Sequence, residues 1–178
     1  MFGARQTLSQ QSSAYASAAD FYQLFMKDMN RLYTLSLLLT ADHSLAEECL
    51  VRGLDDSSSS TRIFKEWLQS WATRTIIQSA IQIIRPRPGD GRTPDRKAAM
   101  NQPAELAAVI ELPPFERFVF VLSVLERYSD QECSLLLNTN RGEVTAARTH
   151  ALQSIGNSAE LRYQRLGTDL CGRLAVSA

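Results

Sequence analysis

This sequence has no net charge, no closely spaced pair of cysteines and no long apolar run, and each of these absences argues against a class of protein. Lysine plus arginine equal aspartate plus glutamate, 19 against 19, so no global field draws the chain to nucleic acid or anionic lipid. The longest apolar run, residues 118–122, is too short to span a bilayer. Cys49, Cys133 and Cys171 form no CxxC pair, which argues against a zinc site. We expect reduced thiols, with Cys49 and Cys133 buried.

Catalytic patterns are missing as well. The sequence has no glycine-rich phosphate loop, no nucleophile elbow and no metal-ligand cluster. His43 and His150 lack a Cys, Asp or Ser partner at catalytic spacing. Glu47 and Glu48 are adjacent, and adjacent helical residues point about 100° apart, so a solvated helix start explains them better than a carboxylate pair. We predict a protein that is not an enzyme and has no metal, no cofactor and no small-molecule substrate.

The sequence does contain apolar residues at helical spacing, in two long stretches. This pattern predicts an all-α fold. The stretches are separated by a basic segment rich in proline and glycine, which is typical of a linker. The small, polar N-terminus lacks the apolar core of a signal peptide, so we expect a cytoplasmic protein without membrane contact. The predicted organisation is a flexible tail (1–18), a helical domain (19–84), a flexible linker (85–102) and a second helical domain (103–178).

Helix boundaries in the first domain are predicted from capping residues. Asp20 is placed to cap a helix that continues to about residue 39. Ser44 and Glu47 have the spacing of a capping box, in which each side chain accepts from the other residue's backbone amide. Gly53 is a suitable residue to end the short helix that follows.

The end of the first domain is predicted to contain a loop and a long helix. Residues 55–60 are acidic and rich in serine, which favours a loop. Helical spacing then begins near residue 61 and ends before Pro86, because proline disfavours a helical residue before it. Trp67 and Trp71 share one face of this helix, and we expect them to pack in the core.

Capping signals in the second domain predict a helix-turn-helix. Ser129 and Glu132 have the spacing of a capping box, and so do Asn140 and Glu143. Asn138 lies between the two helices and tolerates the left-handed conformation of a C-cap. A short helix, a tight turn and a second helix are typical of this motif, although any antiparallel helix pair is the alternative. The residues expected to face inward from the second helix are Val144, Ala147, Ala151 and Ile155.

A motif covering residues 112–155 adds a family resemblance. Its first helix carries Leu112, Pro113, Pro114, Glu116, Arg117, Val119, Phe120 and Leu122. Its helix-turn-helix carries Tyr128, Ser129, Glu132, Leu136, Leu137, Gly142, Val144, Ala147, Arg148, Ala151 and Leu152. This arrangement resembles region four of extracytoplasmic-function sigma factors, with their "LPP.eR.vf.L" and "yS..Eia.lL....g.V..Ar..AL" patterns.

The first domain resembles region two of the same family more weakly. The similar segments are residues 33–37, residues 46–50 and the Trp67-Leu68 pair followed by Ala72. The resemblance implies that core RNA polymerase binds Ala46, Glu47, Glu48 and Leu50. It implies that the downstream (minus-ten) promoter element meets Arg62, Lys65 and Arg74. It implies that the upstream (minus-thirty-five) element meets Arg141, Thr145, Arg148 and Thr149.

Several positions depart from the family pattern and lower the expected affinity for DNA. Asp55 and Asp56 stand where the family often has basic or aromatic residues, and Thr145, Ala147 and His150 stand where Lys and Arg are common. Phosphate contacts dominate affinity for DNA, and two arginines supply few of them.

Two functions therefore stay open. The first is a sigma-like initiation regulator that binds core RNA polymerase and promoter DNA, with an anti-sigma factor as a further partner. The second is a divergent regulator that binds protein and has weak or no DNA binding. A helical adaptor unrelated to polymerase is a third class. Whether Arg148 points outward is also open, because a long side chain can extend from a half-buried position.

Overall fold

Nine α-helices make up most of the residues described by the computed structural model, which are 14–59, 63–92, 97–100 and 102–175. The first half contains α1 (Ala18–Lys27), α2 (Met29–Thr40), α3 (His43–Ser59) and α4 (Leu68–Ile84). The second half contains α5 (Lys97–Met100), α6 (Ala104–Ile110), α7 (Pro114–Phe120), α8 (Asp130–Leu136) and α9 (Arg141–Ala175). The predicted all-α class is confirmed. No helix in the described ranges is long and apolar enough to cross a membrane.

The first helix begins earlier and ends earlier than the sequence predicts. Ser17 is the N-cap: its hydroxyl accepts from the Asp20 amide at 3.3 Å, and its own amide donates to Asp20 Oδ2 at 2.8 Å. Asp20 is therefore the third residue of the helix rather than its cap. A break at Asp28 separates α1 from α2. Periodicity missed this break because Phe25 and Leu32 on either side of it are both buried.

The next helix is capped by Asp42 rather than by the predicted Ser44 box. Asp42 Oδ1 accepts from the Leu45 amide at 2.9 Å, and the Asp42 carbonyl accepts from the Ala46 amide. Ala41, with a φ of 54°, is the left-handed C-cap of α2. The break predicted between the two helices is thus present, but the cap lies two residues earlier.

Gly53 lies within α3 and does not end it, so the predicted stop is wrong. The helix continues to Ser59, and the loop expected at 55–60 is helical as far as residue 59. A Cβ on Gly53 would lie 2.6 Å from Ile76 Cδ1 of α4. The glycine leaves room for the Ile76 side chain where α3 packs against α4, which a C-cap prediction from sequence does not reveal.

A segment of extended chain precedes α4. Ile63 and Lys65 exchange backbone hydrogen bonds with residues 14–16 at 2.7 and 3.0 Å, and a 3-10 turn (Lys65–Trp67) leads into the helix at Leu68. The helical start expected near residue 61 is therefore wrong, because pairing with the N-terminal segment holds this backbone extended. The predicted end is confirmed: α4 stops at Ile84, and Arg85 adopts a φ of 52° before Pro86.

The two halves share one hydrophobic core, and a buried arginine lies at their junction. Helix α2 packs against α6 and α7. Arg117 of α7 is only 2% exposed, and it donates to the carbonyls of Leu39 (3.2 Å), Ile110 (3.2 Å) and Leu112 (2.8 Å). Burial, and to a lesser degree the nearby charge of Arg92, lowers the pKa of the guanidinium to about 10. The division into two domains joined by a flexible linker stays a prediction.

Candidate nucleic-acid and polymerase interfaces

Helices α8 and α9 are joined by the predicted tight turn at residues 137–140 and pack against each other. The Ser129 hydroxyl accepts from the Glu132 amide at 3.3 Å, and Asn140 Oδ1 accepts from the Glu143 amide at 2.9 Å. Asn138 adopts a φ of 51° in the turn between them. Both capping predictions and the left-handed turn residue are confirmed. The residues expected to face inward are buried or half-buried, namely Val144, Ala147, Ala151 and Ile155.

The front of α9 brings the four predicted DNA-reading residues close together, but their polar groups are already bonded. Arg141 donates to the Gln131 side chain of α8. The Thr145 hydroxyl contacts Asp130 Oδ2 at 3.2 Å and the Arg141 carbonyl at 3.0 Å. The Thr149 hydroxyl donates to the Thr145 carbonyl at 2.9 Å. These contacts occupy the two threonine hydroxyls and one guanidinium nitrogen of Arg141.

Arg148 spans from α9 to α8 and forms an ion pair with Asp130. Both guanidinium nitrogens donate, one to each carboxylate oxygen, with the second contact at 3.2 Å. The hydrogen bond from Arg148 is the main reason that the pKa of Asp130 lies below its ordinary value. Arg148 is therefore half-buried and directed at α8, and its charge is neutralised where DNA would meet it.

Acidic side chains further reduce the positive potential of this surface. Glu132 and Glu143 belong to the two capping boxes. Hydrogen bonds from Ser129 lower the pKa of Glu132, so this carboxylate stays charged. Duplex DNA carries one negative charge per about 1.7 Å of helix axis. This pair of helices therefore lacks the strong positive potential that usually attracts proteins to duplex DNA.

Two of the three basic residues predicted for the downstream element lie within the described ranges, and these two are not part of one patch. Arg62 lies outside the described residues. Lys65, in the 3-10 turn, forms an ion pair with Asp20 at 3.3 Å. Arg74 is exposed two turns into α4, where it lines a polar cleft toward the second half of the chain. Lys65 and Arg74 therefore contact different parts of the molecule.

Four exposed aromatic side chains surround the start of α4, and we call them the aromatic surface: Tyr15, Phe64, Trp67 and Trp71. Tyr15 stacks on Phe64 with ring centroids 4.8 Å apart, and Phe64 meets Trp67 edge-to-face at 5.5 Å. Trp67 is 60% exposed and Trp71 is 38% exposed.

The expectation that both tryptophans pack in the core is therefore wrong. Spacing places Phe64, Trp67 and Trp71 on one side of the chain, but it does not indicate whether that side meets solvent or core. The core side of α4 is instead filled by Ile76 and Ile77. No signal in the sequence pointed to Tyr15, which reaches the surface through backbone pairing with residues 63–65.

The residues predicted to bind polymerase lie on α3, and three of the four reach its surface. Ala46 is fully buried, so its side chain packs beneath that surface. Glu47 is exposed, whereas Glu48 pairs with Arg52 one turn later. Leu50 is half-buried at the edge of an apolar groove.

This apolar groove runs between α1 and α3 and has a volume of about 220 Å³. Its walls are almost entirely hydrocarbon and are completed by Leu50 and Leu54 of α3, with Glu47 at the edge. Several of its apolar side chains are exposed, namely Tyr22, Met26, Met29 and Val51. Exposed apolar patches bounded by charge mark protein-binding sites, and flexible methionines suit such surfaces.

Metal binding and thiol chemistry find no support in this structure. Among the described residues, no three His, Cys, Asp or Glu side chains are grouped so that they could hold a metal ion. Cys49 and Cys133 are buried, as predicted, and burial raises the pKa of each thiol to about 11. Neither cysteine is ionised near neutral pH, so neither is an activated nucleophile.

Comparison with protein-family models and with curated protein sequences finds no match for this chain. The resemblance to sigma factors therefore rests on the motifs quoted above and stays a prediction.

Proposed function

We propose that this chain is a sigma-factor-like transcription initiation regulator, a cytoplasmic protein that binds core RNA polymerase and promoter DNA. The aromatic surface at the start of α4 is the observation that carries this proposal. Exposed aromatic rings bind unpaired bases by stacking, which is worth about 1–3 kcal/mol per base. The segment that the resemblance assigns to the downstream element is the same segment that presents these rings.

Contact with the upstream element is expected to be weak. The shape of α8 and α9 supports insertion of α9 into a major groove. The pairing of Arg148 with Asp130 opposes phosphate binding, because it removes one of the two local cations. We expect duplex binding with a salt slope of about two or less.

Polymerase binding is proposed to use the apolar groove between α1 and α3. An amphipathic helix can lay its apolar face into such a groove. Glu47 at the edge favours a helix that carries basic residues beside its apolar stripe. Contact energy would come chiefly from Met26 and Val51, whose exposed side chains lose water on binding.

A pair of binding measurements tests the DNA part of the proposal. Full-length protein is titrated with single-stranded and duplex promoter oligonucleotides, and fluorescence anisotropy is followed at several salt concentrations. We expect single strands to bind more tightly than duplexes of the same sequence. Tighter duplex binding with a steep salt slope would contradict the proposal that the start of α4 binds single strands and that α9 binds duplex DNA only weakly.

Co-purification with core polymerase tests the protein part. Val51→Glu places a charge in the groove and is expected to abolish association, and Glu47→Lys combined with Glu48→Lys to weaken it. Leu135→Glu is the matched control, because Leu135 is an exposed apolar residue on α8, outside the groove. A wild-type protein that never associates with polymerase would remove the basis for the proposal.

The second candidate function is a divergent regulator that binds polymerase without reading DNA. The neutralisation of Arg148 by Asp130 favours it. Polymerase association through the groove, together with no single-strand binding at low salt, would select this second function over the first.

A further inference from the structure

A polar cleft of about 500 Å³ lies at the junction of the two halves. Helices α2 and α4 supply one wall, and residues 126–132, which lead into α8, supply the other. The size is within the range of small-molecule sites, which are about 300–1,000 Å³. The cleft shares no residue with the apolar groove or with the residues of α9 predicted to read DNA, although Glu132 of α8 belongs to its lining.

Three arginines line this cleft, and among the described residues two of them make no side-chain hydrogen bond, although the charge of Arg74 acts on Glu132 and Tyr128 of the same lining. Arg31 donates to the Thr73 hydroxyl at 2.6 Å and lies 3.8 Å from Glu126. Neither Arg74 nor Arg127 donates a hydrogen bond to, or forms an ion pair with, another residue in the described ranges. Guanidinium groups bind phosphate through two parallel hydrogen bonds, so a concave site with two free arginines suits a phosphate.

The backbone holds one of these arginines in an unusual conformation. A π-helical turn (Val121–Leu125) follows α7, and Arg127 comes two residues later with a φ of 60°. The Tyr128 amide donates to the Leu122 carbonyl at 2.9 Å, which closes the helix end in the manner that normally uses glycine. A π-turn and a left-handed residue other than glycine are both frequent at functional sites.

The carboxylates of the cleft restrict what else the ligand contains. Three arginines against two glutamates leave one positive charge in the lining. Glu132 is occupied by the Ser129 cap, whereas Glu126 keeps acceptor capacity because Arg31 is 3.8 Å away. A ligand that offers hydrogen-bond donors as well as an anion matches this lining better than a bare anion does.

We propose that the cleft binds a nucleoside phosphate. Its phosphate contacts Arg74 and Arg127, and the donors of its ribose or base face Glu126. Because Arg74 belongs to the first half of the chain and Arg127 to the second, the bound ligand stabilises their present arrangement. The ligand acts as an effector rather than a substrate. This inference goes beyond the proposed function and does not depend on it.

Isothermal titration calorimetry of the full-length protein with ADP and GDP tests the site. We expect wild type to bind at least one of them with a Kd below about 1 mM. Arg74→Gln and Arg127→Gly should each weaken binding about tenfold, the usual cost of losing a charged hydrogen bond. Glycine suits the left-handed position, so Arg127→Gly keeps the backbone intact. Arg52→Gln, which alters an exposed arginine outside the cleft, should bind as wild type does.

Four results would overturn the proposal. The first is that neither nucleotide binds, and the second is that affinity is unchanged in both Arg74→Gln and Arg127→Gly. The third is that inorganic phosphate binds as tightly as the nucleotides, which indicates a simple anion site. The fourth is that only a short single-stranded oligonucleotide binds, with the same dependence on both arginines, which makes the cleft part of a DNA surface. Nucleotide binding that persists in Trp67→Ala separates the cleft from the aromatic surface.

Discussion

The start of α4 and the start of α9 are the two candidate DNA surfaces, and they expose different chemistry. The start of α4 presents aromatic rings with little net charge. The start of α9 is the segment predicted to be a recognition helix, but its cations are bonded to α8. Aromatic exposure suits unpaired bases, whereas duplex recognition needs free cations. The comparison shows that the capping pattern of a predicted helix-turn-helix does not by itself fix the electrostatics of its surface.

The largest expected effect comes from removing the residue that joins the two halves. Arg117→Ala leaves three buried carbonyls without their donor, and each such loss costs about 1–3 kcal/mol. We expect the free energy of unfolding to fall by about 4 kcal/mol. Urea denaturation measures this change, with the exposed Arg87→Ala as control.

Limited trypsin digestion sharpens the same test. If the halves are separate domains, loosening their junction should speed cleavage at the exposed basic residues of the linker, because the local backbone is freer to enter the protease, and cleavage should leave two resistant fragments. An Arg117→Ala protein with the urea midpoint of wild type would contradict the inference that this arginine stabilises the junction between the two halves of the chain.

A smaller effect is expected where α3 supports the helix that carries the aromatic surface. Gly53→Ala forces a Cβ against Ile76, and overpacking of this kind costs about 1–3 kcal/mol. Ile76→Val removes the Cδ1 atom that the new Cβ would meet. The double variant should therefore be more stable than the sum of the two single changes predicts. If the changes in unfolding free energy of Gly53→Ala and Ile76→Val simply add in the double variant, α3 and α4 move apart to accept the new Cβ and the contact with Ile76 Cδ1 is not the cause of the loss.

Trp67→Ala is expected to weaken single-strand binding about tenfold, because base stacking on one ring is worth about 1–3 kcal/mol. Thermal stability should hardly change, since Trp67 is mostly exposed. Tyr22→Ala is the control, as Tyr22 is a similarly exposed aromatic residue on α1 outside the aromatic surface. Equal loss in both variants would indicate a general effect of aromatic content and not a stacking site.

The smallest expected effect concerns α9. Asp130→Asn frees Arg148 and Thr145, so the salt slope of duplex binding should rise by about one. Lowering the pH does not substitute for Asp130→Asn. Because the pKa of Asp130 is lower in the folded protein than in the unfolded chain, the ion pair with Arg148 is fully formed above the unfolded-state pKa. The pair is lost only as the pH falls through the lower folded-state pKa. Glu105→Gln is the control, because it removes an equal charge from α6 and should leave the salt slope unchanged. An equal rise of the slope in Glu105→Gln would show that the effect of Asp130→Asn comes from the net charge of the protein and not from the release of Arg148.

Much of the fold and part of each candidate site follow from the sequence. The all-α class, the capping boxes at Ser129 and Asn140, and the end of α4 before Pro86 were predictable. Each of these features depends on residues within about four positions of one another, so local spacing contains the necessary information.

The tertiary structure alone decided the remaining features, because each depends on partners distant in sequence. Asp130 and Arg148 are 18 positions apart, so a motif does not reveal that the arginine is neutralised. Backbone pairing of residues 14–16 with 63–65 delays the start of α4 and places its aromatic rings in solvent. The sequence suggests that Gly53 ends a helix, but in the structure Gly53 lies within α3 where this helix packs against α4. Local sequence therefore determined which segments are helical, and packing between helices determined which of their residues are free to bind.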